Sequence, residues 1–238
     1  MIVYKFGGAS VRSAKGIRNI AKIVSGVKEP LFIVVSAMGK MTNALEVVHS
    51  FFIEGKKEEA KGKIEEIKKY HYDICNELFE DTETIVDKLN AIFDDLEKFI
   101  KYGTGNEFDQ WYDKIVPFGE IVSTTIVSEF LNSQNIQNEW LDMRELLITD
   151  SKFREANVLL KESKNRFQKA VNFSTSQVYV AQGFIGANLQ GDSTTLGREG
   201  SDYSAAIVGS LLKADSVSIW KDVQGVLNAD PREFEKTT

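Results

Sequence analysis

The first place where this chain could do chemistry is "VYKFGGASV", in which Lys5 is followed by Gly7 and Gly8. A short apolar run leads directly into bare backbone. Glycines tolerate positive φ and let a ligand approach closely. The N–H groups at the start of a following helix then face an anion, and the lysine adds a mobile positive charge. That arrangement suits a phosphate, although a Gly-Gly turn after a strand is equally plain turn chemistry. A second run, "GDSTTLGREGSDYSAA", sets Arg198 between Gly197 and Gly200, with Ser201 and Asp202 where a helix N-cap would fall. The planar guanidinium suits two-point recognition of a carboxylate or phosphate; the bland alternative is a surface loop with a capping Asp. A third turn, "SAMGKMTN", offers Ser36, Gly39 and Thr42, and a fourth, "KDVQGVLNADPR", offers Asp222, Asp230 and Arg232. Four polar turns, mostly at strand carboxyl ends, can converge on one crevice, where open α/β sheets bind ligands.

Several functions are excluded by what is missing. No G-x-x-x-x-G-K followed by Ser or Thr is present, so this is not a P-loop protein, and no G-x-G-x-x-G follows a strand. No pair resembling HRD and DFG suggests a protein kinase. The 238 residues carry 29 Lys and Arg against 35 Asp and Glu, a net charge of −6 that argues against general nucleic-acid binding. An anionic ligand therefore needs a local cluster of donors. Cys75 is the only cysteine, which suits a reducing compartment and reads as a buried structural thiol. The first residues lack the pattern of a signal peptide. No stretch approaches the about 18 apolar residues of a membrane span. The expected location is the cytoplasm, with no membrane partner.

The elements that must position these turns follow from periodicity. "IVYKF" and "LFIVVSAM" read as buried strands, each followed by a helical pattern, the first through Ile17, Ile20, Ala21, Val24 and Val27. Strand alternating with helix implies a mostly parallel sheet covered by helices, in one domain. Residues 55–103 depart from this, with two Lys- and Glu-rich amphipathic patterns that predict an antiparallel helix pair beside the sheet. A long helix is expected across 117–134, with Pro117 marking its start or a bend. Strands are expected at "IQNEWLD", "SQVYVAQGFIG" and "SVSIW", and helices within "VLLKESKNRFQKAVN" and over "YSAAIVGSLL". The stretch "ANLQGDSTTLGREGSD" reads as a loop. His49 and His71 fall in helical patterns and read as surface or packing residues.

The order of "KFGGASV", "VVSAMGKMTN", "FGE" at 118–120, "LDMRE", "TTLGREGSDYSA" and "WKDVQGVLNADPR" resembles the aspartate kinases of the amino acid kinase superfamily. These motifs run from residue 5 to residue 232. The resemblance implies a three-layer α/β/α sandwich and transfer of the ATP γ-phosphoryl group to the β-carboxylate of L-aspartate, with Mg²⁺. On this pattern Lys5 and Asp202 are catalytic, while Lys5, Gly7, Gly8, Lys221, Asp222 and Arg232 hold the nucleotide. Ser36, Thr42 and Ser201 line the aspartate pocket, Glu120 takes the substrate ammonium, and Arg198 takes its α-carboxylate. No residue is implied as a metal ligand. The full-length enzymes are expected to be homo-oligomers.

The sequence also departs from the family pattern. Ala9 stands where threonine is frequent, Lys221 and Leu227 replace Thr and Tyr, and Glu199 occupies a glycine position. That last replacement predicts a backbone with no strict need for φ > 0. Family members continue into a further part of the kinase domain and tandem ACT domains, so a catalytic domain truncated at its C-terminal end is expected. Two alternatives stay open: an acetylglutamate or glutamate 5-kinase, and an ATP- and aspartate-binding fragment with impaired turnover.

Overall fold

The computed structural model describes residues 1–105 and 107–221. In chain order it begins with β1 (Ile2–Phe6), α1 (Gly8–Val11), α2 (Ala14–Ser25), β2 (Leu31–Val35) and α3 (Met41–Ile53). Four more helices follow: α4 (Lys57–Leu78), α5 (Glu83–Tyr102), α6 (Phe108–Ile115) and α7 (Phe118–Ser133). Next come β3 (Glu139–Leu141), α8 (Met143–Leu146), β4 (Ile148–Thr149), α9 (Leu160–Ala170) and β5 (Val178–Gln182). The last described elements are β6 (Ile185–Asn188), β7 (Ser193–Thr195), α10 (Gly200–Leu212) and β8 (Ser216–Trp220).

The main sheet has the order β3-β5-β2-β1-β8, and every pairing in it is parallel. Its middle strand explains why. All five residues of "LFIVV" are buried, which only a strand covered on both faces can achieve. Alternation along that strand divides the core: Leu31, Ile33 and Val35 point to one face, Phe32 and Val34 to the other. The first face packs against α2 through α7, and the second against α8, α9 and α10. The result is the three-layer α/β/α sandwich.

The helical excursion is the pair α4 and α5. Tyr72 reaches Asn90 and Lys68 reaches Glu97, the register of antiparallel neighbours. Pro117 directly precedes α7, most of which is buried, as its nearly all-round apolar sequence requires. Both histidines are packing residues: His49 Nε2 meets the Phe108 carbonyl at 2.9 Å, and burial pushes His71 down to about 4. Burial likewise pushes the Cys75 thiol up to about 12, which leaves it inert near neutral pH.

Three expectations change. The segment read as one strand over 176–186 is two, β5 and β6, separated at Gly183-Phe184 and lying in different sheets. The stretch read as a loop contributes the end of β6 and β7, which with β4 form a second sheet in the order β4-β6-β7. The helix expected after Gly8 is interrupted: α1 is a single turn, and α2 starts anew from Ser13, whose Oγ accepts the Gly16 N–H at 3.3 Å. Among the described residues no helix is long and apolar enough to cross a membrane.

Candidate active site

Parallel strands bring their carboxyl ends to one edge of the sheet, so Gly7-Gly8, Ser36 and Lys221 leave β1, β2 and β8 on the same side. A cleft of about 760 Å³ opens there. Lys5, Ser36, Thr42 and Glu120 line it, as do Arg198, Ser201 and Asp202 from the β7–α10 connection and its helix. Three of the four polar turns therefore meet. Asp222, Asp230 and Arg232 lie outside the described residues.

Lys5 shares a strand face with Val3, the face covered by α10, and is only 6% exposed. Its Nζ lies 2.6 Å from Asp202 Oδ1, and Lys221 Nζ lies 3.1 Å from Asp202 Oδ2. The Lys5 contact is a charge pair rather than an aligned hydrogen bond. One carboxylate thus holds two ammonium groups at the head of the cleft. Burial works against ionisation of Asp202, but the two facing ammonium groups of Lys5 and Lys221 outweigh it and hold the carboxyl below its usual range.

Glu120, in the first turn of α7, is 2% exposed. Its Oε1 accepts the Ala37 N–H at 3.2 Å, while Oε2 has no hydrogen-bond partner among the described residues. Burial pushes this carboxyl up to about 8, against the opposing pull of the Ala37 N–H, its own backbone N–H and the Lys5 charge. An orphaned buried oxygen beside a polar cleft is a costly feature unless a donor arrives to meet it.

The glycines work differently from the sequence expectation. Neither Gly7 nor Gly8 takes a positive φ; Gly7 is extended at −77°, 167°. Gly8 is required by packing instead, because a Cβ there would lie 2.7 Å from the Ala37 carbonyl oxygen. The Gly39 N–H donates to the Gly8 carbonyl at 2.9 Å and ties the β1 turn to the β2 turn. The Glu199 expectation is overturned as well: the residue is left-handed at φ 55°, ψ 22° despite its side chain. It also takes the N-cap position expected of Ser201 and Asp202, leaving them in the first turn of α10. There Ser201 packs so tightly on Gly183 that a Cβ at 183 would come within 2.5 Å of it. Asp202 is free to pair with the lysines.

The sequence reading missed one wall of the cleft. Asp109, Tyr112 and Arg154 line it from α6 and the loop after β4, and Phe184 does so between β5 and β6. Phe184 is held at φ 70° inside a tight turn closed by Ile185 N–H to Gly183 O at 2.8 Å. Helical spacing of Phe108, Trp111, Tyr112 and Ile115 carried the signal for α6; nothing comparable marked Arg154.

The family model for the amino acid kinase family matches residues 1–238. An aspartokinase of Chlamydia muridarum is 33% identical over 236 residues, covering 99% of this chain and 51% of that protein. A bifunctional aspartokinase/homoserine dehydrogenase 2 of Zea mays is also 33% identical, over 98% of this chain but 26% of its own length. The chain therefore spans about half of the bacterial relative and a quarter of the plant one. Among solved structures, Escherichia coli aspartokinase III in complex with aspartate and ADP superposes with a TM-score of 0.89 at 27% identity, over all of this chain and 52% of that one. With the motifs, the sandwich and these likenesses in agreement, the chain belongs to the amino acid kinase family.

Proposed function

We propose that this chain transfers the γ-phosphoryl group of ATP to the β-carboxylate of L-aspartate, giving 4-phospho-L-aspartate and ADP. The observation that carries the reading is the pairing, in one cleft, of the orphaned Glu120 Oε2 with the Lys5–Asp202–Lys221 cluster. One end asks for an ammonium donor and the other for an anion. Aspartokinases at about this level of similarity support the choice of amino acid, as does the aspartate and ADP in the E. coli structure.

In this reading the aspartate ammonium meets Glu120, Arg198 forks onto the α-carboxylate, and the Ser36, Thr42 and Ser201 hydroxyls complete the pocket. The attacking β-carboxylate, with an ordinary pKa of about 3.9, is already ionised at neutral pH and needs no general base. One of its oxygens bonds to the γ-phosphorus as the bond to the bridging oxygen breaks, and ADP departs with that oxygen's charge. The physical difficulty is bringing two anions together, so catalysis rests on positioning and charge neutralisation. Asp202 keeps Lys5 and Lys221 convergent and leaves the cluster a net positive charge, since two cations face one carboxylate. Lys5 then meets charge developing toward the leaving group, with Lys221 and the Gly7-Gly8 backbone on the nucleotide side. Magnesium would arrive on the nucleotide phosphates; among the described residues no group of three His, Cys, Asp or Glu side chains could cage it.

The Glu120 arrangement also separates this reading from an acetylglutamate kinase, whose acylated substrate has no ammonium to offer. Release of ADP and hydroxylamine-trapped acyl phosphate should therefore depend on L-aspartate. Turnover with N-acetyl-L-glutamate but none with aspartate would reject the proposal, and nucleotide binding without turnover on any acceptor would favour a binding fragment.

A further inference from the structure

Asp113 is absent from the cleft lining, yet it accepts three hydrogen bonds from groups just behind it. It sits on α6 with no exposed surface. Its Oδ2 accepts the Arg154 N–H and the Thr195 N–H, each at 2.9 Å, and its Oδ1 accepts the Thr195 hydroxyl at 2.7 Å. The loop after β4 and the strand β7 are therefore tied to α6 through one side chain. They are also tied to each other, by Ala156 N–H to Thr195 O at 2.9 Å. Burial pushes this carboxyl up to about 6, although all three bonds favour its ionised form. A buried charge is a poor route to stability alone, because apolar packing serves as well.

What the tie controls lies just downstream. Gly197 follows Thr195 by two residues, and a Cβ on it would come within 3.2 Å of the Arg154 carbonyl oxygen. Arg198 is next, between positive-φ Gly197 and Glu199 in a turn closed by Gly200 N–H to Gly197 O at 3.1 Å. The guanidinium of Arg154 closes the arrangement from outside, 4.6 Å from the Tyr112 ring and 3.2 Å from Asp109. Moving Thr195 away from Arg154 would move the base of Arg198 with it.

We propose that Asp113 is a positioning residue for the acceptor amino acid: by fixing Thr195 against Arg154 it sets where Arg198 stands in the cleft. The identity of that acceptor rests on the function proposed above. Because Arg198 would grip the same carboxylate in ground and transition states, loosening it should raise KM and spare kcat.

The test uses four variants of this chain, with steady-state kinetics and amide hydrogen exchange. Asp113→Ala should raise the KM for aspartate about tenfold, with kcat and the KM for ATP within about twofold. Asp113→Asn should restore most of the affinity. Its carbonyl oxygen still accepts both N–H groups, and its amide can donate to the Thr195 hydroxyl, which rotates to accept. Thr195→Val should raise KM about threefold through one lost hydrogen bond, while Thr195→Ser should behave as the parent. Exchange through 195–200 should quicken in the Ala and Val variants only. Unchanged KM, an equal loss of kcat, or Ser no better than Val would overturn the proposal. Should Asp113→Ala not fold, the Val and Ser pair decides. If the parent chain neither binds nor turns over aspartate, the proposed function falls, and the exchange pattern alone still upholds or overturns the clamp.

Discussion

Glu120 shows how much a single residue can reveal. With a folded-state pKa of about 8 against an ordinary 4.5, it enters the cleft protonated near neutral pH. An arriving ammonium would favour the charged form and expel the proton. Aspartate binding should accordingly release a proton, visible as a binding enthalpy that changes with the ionisation enthalpy of the buffer, and Glu120→Gln should abolish that dependence. Equal enthalpies in two buffers would remove Glu120 from the ammonium site. The same shift bears on stability. A raised pKa means the folded state holds the proton more tightly, so stability falls as pH rises between about 4.5 and 8. Glu120→Gln should flatten that slope. Lys5→Ala tests the opposite end of the cleft: kcat should fall by about 10²–10³ while the KM for aspartate stays close to the parent value, and unimpaired turnover would exclude Lys5 from the mechanism. Residue types and order made these positions legible. Glu199 was not legible, because a left-handed backbone under a charged side chain has no sequence signal.

Among elements, α4, α5, β1, β2 and β8 lie where periodicity puts them, as does the short β3, whereas the sequence merges β5 with β6 and gives no sign of β4 and β7. β2 is a continuous apolar run, β1 is interrupted only by Lys5, β8 alternates serine with apolar residues, and α4 and α5 carry a clean stripe. β4 and β7 have two and three residues, too few for alternation to register, and β4 pairs with β6 across 39 residues of sequence, Ile148 against Ala187. α6 had the spacing of a helix but also a buried Asp113, whose partners lie 41 and 82 residues away. Its purpose appears only once the fold has closed. The contact between the turns after β1 and β2 gives a prediction at this scale. In Gly8→Ala the new methyl meets backbone, the Ala37 carbonyl at 2.7 Å and the Gly39 carbonyl at 3.1 Å, which cannot swing aside as a side chain would. The variant should lose about 1–3 kcal/mol by chemical denaturation, the usual cost of overpacking. ATP affinity should fall with it, since Lys5 and the Ser36 turn would separate. Unaltered stability and affinity would mean that the two turns move independently.

For the whole molecule the open question is whether the helical excursion is an appendage or part of the core. Leu89 of α5 and Ile64 of α4 belong to the same buried cluster as Ile33 and Val35 of the central strand. Ile207 of α10 lies in the cluster on the opposite face, and Ile92 and Phe184 pack against both. Among the described residues the excursion has no core of its own to keep if the sheet unfolds. The described chain should therefore melt as one cooperative unit in spite of its size. Leu89→Ala, in a fully buried site, should cost about 2–5 kcal/mol, and Ile207→Val about 0.5–1.5 kcal/mol. Since the two sites lie in clusters on opposite faces of the sheet, the double variant should lose their sum within about 0.5 kcal/mol. All three variants should unfold in urea through a single transition, coincident by far-UV circular dichroism and tryptophan fluorescence. Were the excursion independent, Leu89→Ala would produce an early helical transition that Ile207→Val leaves untouched. That outcome would separate α4 and α5 from the sheet that carries Lys5, while α6 stays tied to β7 through Asp113.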